Sequence, residues 1–100
     1  MKKMTRKPTS PGEMLNEEFL KPLGLTQRKF ADHIGVEVKT INRIVNERQT
    51  LTPELAAKFA AAFNMSVEFW LNLQMGLDIW NLNKSHPDLP KSLIVKSRAS

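Results

Sequence analysis

The stretch that most constrains the fold is Leu25–Asn46, where two short runs of helical periodicity lie back to back with one glycine between them. Thr26 suits an N-cap, and Phe30, Ala31 and Ile34 recur at helical spacing behind it. Gly35 ends this run, as the residue type that enters positive φ most freely. A further helix is predicted from Glu37 or Val38 to about Asn46, with Ile41, Ile44 and Val45 on its inner stripe. Two short helices approach closely only where a small side chain lies at their crossing, and Ala31 meets that need. Ile41 and Ile44 lock the later helix into a core and so hold its other face outward.

The flanking segments read as three more helices. Ser10-Pro11-Gly12-Glu13 combines a cap, a proline in the first turn and an acid that complements the helix dipole. The helix it opens is predicted to run to about Leu20, with Met14, Leu15 and Phe19 inward and Pro22 and Gly24 as stops. Thr52-Pro53-Glu54 repeats the same start and opens a helix to Phe63 that buries Leu55, Phe59, Ala60 and Phe63. Asn64 suits a left-handed stop, and Ser66 caps a fifth helix predicted to reach Trp80. The expected organisation is a flexible basic arm over residues 1–10, a folded domain over 11–82 and a tail over 83–100. In the tail, Leu93-Ile94-Val95 is a candidate short strand or docking segment.

Charge bears on function. The 100-residue chain carries 15 Lys and Arg against 10 Asp and Glu, a net charge of +5, which favours an anionic partner, nucleic acid above all. The outer face of the helix after Gly35 displays Val38, Lys39, Asn42 and Arg43. Lys39 and Arg43 suit guanine O6 and N7, Asn42 suits adenine N6 and N7, and Val38 suits a thymine methyl. These four are the expected base readers in a major groove. Gln27, Thr40, Asn46 and Arg48 are the expected contacts to the DNA backbone. Together, these features read as a helix-turn-helix that binds double-stranded DNA.

Other classes find little support. No cysteine is present, so a disulfide framework and thiolate metal sites are excluded, in keeping with a reducing cytoplasm. His33 and His86 are far apart and no His, Asp and Glu cluster has ligand spacing, so no catalytic residue, metal or cofactor is assigned. No stretch approaches the ~20 apolar residues that cross a bilayer, so no membrane partner is expected. The aromatic residues fall at core spacing, without a stacking platform for RNA.

The fifth helix is apolar nearly all round. Val67, Trp70, Leu71 and Ile79 form one predicted stripe, and Phe69, Leu73, Leu77 and Trp80 another. A domain this small cannot easily cover both, so the second stripe is expected to form the interface of a two-fold homodimer. Two reading heads related by a dyad would match a palindromic operator.

Leu25–Asn46 resembles the helix-turn-helix of the phage-repressor and Cro superfamily, and the similarity extends over about Pro11–Trp80. More narrowly, Pro11-Gly12-Glu13-Met14-Leu15, Leu51-Thr52-Pro53-Glu54-Leu55-Ala56 and Phe69-Trp70-Leu71-Asn72-Leu73-Gln74 are similar to HigA-type antitoxins, also called virulence-associated protein I. The resemblance implies an all-α, five-helix, lambda-repressor-like domain. It also implies a repressor that neutralises a HigB-type mRNA endonuclease toxin and autoregulates its operon, the alternative being a stand-alone Cro-like regulator. Where such proteins often carry small residues, this chain has Glu37 and Val38. Three surfaces stay open for a toxin: the basic arm Lys2–Lys7, the first helix and the tail after Ser85.

Overall fold

The computed structural model describes residues 6–94, and among them are five helices and no strand. α1 covers residues 11–23 in three consecutive pieces: an α-turn Pro11–Met14, a π-helical segment Leu15–Leu20 and a closing turn Lys21–Leu23. α2 is Gln27–Ile34, α3 is Val38–Val45, α4 is Pro53–Phe63 and α5 is Val67–Ser85. The all-α, five-helix reading holds.

Four of the five helices open on a hydroxyl cap. Ser10, Thr26, Thr52 and Ser66 accept the backbone N–H of Glu13, Lys29, Leu55 and Phe69 at 3.0, 3.1, 3.3 and 3.0 Å. α3 is the exception: Glu37 precedes it without a side-chain capping bond.

α1 to α4 close alike. Gly24, Gly35, Glu47 and Asn64 are left-handed, with φ of 67°, 77°, 58° and 56°. In each case the next residue's N–H returns five positions to a helical carbonyl: Leu25 to Leu20, Val36 to Ala31, Arg48 to Arg43 and Met65 to Ala60, at 2.8 to 3.0 Å. Gly24, Gly35 and Asn64 are stops that the sequence predicts. Glu47 is not, because glutamate has no intrinsic liking for that conformation.

Two predicted boundaries move. α1 continues through Pro22 instead of ending at Leu20, and its π-helical register explains how. The Lys21 N–H bonds to Asn16 five residues back, which widens the turn where the proline ring would otherwise press on the carbonyl four residues before it. α5 runs past Trp80 to Ser85. The candidate strand is corrected: Leu93 and Ile94 are irregular and exposed, and Val95 lies outside the described residues.

The core is built around Trp70, which is fully buried. Phe19, Phe59, Phe63 and Phe69 surround its ring at centroid distances of 5.6, 5.2, 6.2 and 5.4 Å. Such aromatic pairs contribute about 0.5–1.5 kcal/mol each beyond area burial. Among the described residues the Trp70 indole N–H has no acceptor, so the cluster carries one unsatisfied donor. Ala31, Ile41 and Ile44 are buried where α2 and α3 pack, as expected.

Gly12 sets the approach of α1 to α3. A Cβ there would stand 2.7 Å from Val45 Cα and closer still to the Ile44 carbonyl oxygen. A glycine in the first turn of a helix costs backbone entropy, and here it permits backbone-to-backbone contact with the end of α3.

Candidate nucleic-acid interface

α2 and α3 meet across the Gly35 turn, and their outward sides form one continuous polar face. Ile41 and Ile44 point α3 inward, so Lys39, Asn42 and Arg43 are exposed on its opposite side. Gln27 opens α2 and is half-buried. Thr40 is half-buried too, and Asn46 and Arg48 are exposed at the exit of α3. Val38 lies in the first turn of α3 but is partly packed against the core, so only part of its side chain faces out.

Three of these residues are joined by hydrogen bonds. Asn42 Nδ2 donates to Gln27 Oε1 at 3.2 Å. Asn46 Nδ2 donates to the Asn42 carbonyl at 2.9 Å and to Asn42 Oδ1 at 3.3 Å. The chain ties the first residue of α2 to the middle and end of α3, which fixes the relative position of the two helices on their outer side. It also occupies both ends of the Asn42 amide. Sequence spacing places Asn42 among the base readers and Gln27 and Asn46 among backbone contacts, but does not show that they form one network.

A charge pair borders the face. Lys7 Nζ lies 2.6 Å from Glu47 Oε1, and Ser10 behind it is fully buried. The Lys7 ammonium, with the Ser10 hydroxyl, holds the Glu47 carboxyl below its ordinary value of 4.5 against the opposing effect of burial. An acid beside a polyanion is unfavourable, and Lys7 neutralises this one. Residues 7–10, read in the sequence as part of an arm, thus lie against the folded domain; Lys2 and Lys3 lie outside the described residues.

Sequence patterning also misses Gln74. Its Oε1 accepts the Leu51 N–H at 2.9 Å, and its Nε2 donates to Asp78 at 2.8 Å. It is buried, one helical turn from Trp70, and pins the chain after α3 to α5. A lone glutamine at core spacing in an apolar helix was the available signal.

On α5 the stripes divide differently from the expectation. Trp70, Gln74 and Leu77 form the core-facing row, and Leu77 is only 6% exposed within one chain. Phe69 and Leu73 are half-buried against the core and Trp80 is half-buried. Met75, Ile79 and Leu82, at 56, 44 and 49% exposure, form the outward apolar row.

No group of three or more His, Asp and Glu residues able to hold a metal occurs among the described residues, and no helix there is long and apolar enough to cross a membrane.

The fold and this face define a helix-turn-helix module. The helix-turn-helix family model matches residues 17–70. A transcriptional regulator of the same type from Haemophilus influenzae, itself uncharacterised, is 49% identical over 79% of this chain and 74% of its own length. Antitoxin HigA-1 of Vibrio cholerae is 40% identical over 91% of this chain and 86% of its own. The structure of antitoxin GraA in complex with its operator superposes with a TM-score of 0.82 at 31% identity, covering 95% of this chain and all of that one. The chain belongs to the helix-turn-helix family, in the group that includes the HigA-type antitoxins. That is a class of DNA-binding regulators, not of enzymes.

Proposed function

We propose that this chain is an operator-binding repressor that works as a homodimer in the cytoplasm and serves as the antitoxin of a HigB-type mRNA endonuclease. The observation that carries the reading is the exposed face of α3, held outward by Ile41 and Ile44 and braced to α2 through Gln27, Asn42 and Asn46. The fit to an antitoxin solved with its operator supports it. Lys39 and Arg43 then read guanine, and Asn42 reads adenine after exchanging its contacts to Gln27 and Asn46 for the base. Val38 offers its exposed part to a thymine methyl. Gln27, Thr40, Asn46 and Arg48 hold the sugar-phosphate backbone on either side of the groove.

The test is binding to the chain's own promoter, where a palindromic footprint is expected, with half-sites about 34 Å apart or a multiple of that. Lys39→Ala and Arg43→Ala should each cost about 1–3 kcal/mol and relax specificity. Gln27→Ala should weaken binding to all sequences alike. Identical behaviour of the three variants in a competition assay overturns the division into reading and positioning residues. For the antitoxin role, a gene for a small HigB-type protein is expected beside this chain's gene, and co-expression of the two should restore growth that the small protein alone arrests. Growth arrest unaffected by co-expression favours a stand-alone Cro-like regulator.

A further inference from the structure

A groove with an apolar side and an acidic side lies between α1 and the start of α5. Met14, Met65 and Phe69 contribute to its apolar lining, Glu13, Glu17 and Glu18 stand along it, and the cavity measures 360 Å³. Met14, Met65 and Phe69 are half-buried and the three glutamates are exposed. Glu17 pairs with Lys21 at 2.9 Å, whereas Glu13 and Glu18 have no cationic partner among the described residues. Three of the chain's ten acids therefore border one partly apolar cavity on a protein of net charge +5. None of the lining residues belongs to α2, to α3 or to the segment 46–50 that carries Asn46 and Arg48.

We propose that this groove is where the chain holds its toxin, an inference that rests on the antitoxin reading above. An enzyme that acts on RNA must hold a polyphosphate chain and so carries a cationic surface. The rest of a +5 molecule repels such a partner, while the acidic side attracts it and sets its orientation. Paired methionines are unbranched and mobile, and so adapt to an inserted apolar side chain. The occupant is thus a segment of the toxin with an apolar anchor flanked by Lys or Arg. Because the groove shares no residue with the operator face, the toxin and DNA do not compete for the same side chains.

Calorimetric titration of the full chain with a catalytically inactive form of the HigB-type toxin expected from the neighbouring gene tests this, with promoter binding measured in parallel. The triple variant Glu13→Gln, Glu17→Gln, Glu18→Gln should bind that protein about tenfold or more weakly at physiological salt. Met65→Lys, which puts a cation into the apolar lining, should have a similar effect. Both should keep their helical circular dichroism and footprint the promoter as the parent does. Unchanged affinity of both variants in a parent that does bind overturns the groove as the site and leaves the antitoxin role standing. A parent that binds nothing overturns both.

Discussion

Glu47 carries more than its position in a turn suggests. It closes α3 in a left-handed conformation at φ 58°, where three other helix ends use glycine or asparagine. Its carboxylate receives Lys7, which draws the segment before α1 against the exit of α3. The pair is partly exposed, with 47% of the Lys7 side chain and 29% of Glu47 open to solvent, so its net worth after screening is about 0.2–1 kcal/mol. Lys7 lowers the folded-state pKa of Glu47, so the contribution is present above the unfolded value of 4.5 and is lost as pH falls through the folded value. Glu47→Gln keeps the backbone strain and removes the charge. Its melting temperature should fall below that of the parent at about pH 7 and converge with it near about pH 3. An equal gap at both pH values would show that the charge pair does not contribute in this way.

Among the elements, α3 is held by neighbours on three sides. It has eight residues, too few to be stable alone in water, and no side-chain cap at its start. Gly12 lets the start of α1 press on its last turn, Gln27 bonds to its middle, and Gln74 on α5 anchors Leu51 beyond its exit. Gln74→Leu preserves the bulk and removes the acceptor, leaving the Leu51 N–H buried without its partner. A loss of about 1–3 kcal/mol in urea unfolding is expected. Operator affinity should also fall, because the segment bearing Asn46 and Arg48 is no longer held. A stable Gln74→Leu variant with unchanged affinity would show that Leu51 is positioned by packing alone.

At the scale of the molecule, the described residues present three surfaces: the polar face of α2 and α3, the acidic groove beside α1, and the apolar row of α5. Met75, Ile79 and Leu82 recur at four- and three-residue spacing and stay exposed in the single chain, so in the homodimer proposed above they are the apolar row open to a second copy. Leu77, already buried against its own core, offers a partner almost no area. Ile79→Asp should therefore yield a monomer by sedimentation equilibrium and abolish the palindromic footprint while leaving the fold intact. Leu77→Ala should act on stability instead, costing about 2–5 kcal/mol through the cavity it leaves. A dimer that survives Ile79→Asp places the interface elsewhere.

Local rules in the chain were sufficient for the number of helices, most of their starts and the outward turn of α3. Hydroxyl caps, Pro11 and Pro53 at helix starts, Gly35 in the turn and the Ile41–Ile44 spacing are local rules, and each can be read within a turn or two of chain. That was enough to place Lys39, Asn42 and Arg43 on one exposed face. Contacts between residues far apart along the chain emerge only on folding. Gln74 meets Leu51 across 23 positions and Lys7 meets Glu47 across 40, and no period encodes either meeting. The same holds for α5. Its sequence is apolar all round, so the pattern shows that two sides are needed but not which side turns inward. Packing of Trp70 among four phenylalanines makes that choice, carrying Leu77 into the core and leaving Ile79 outside.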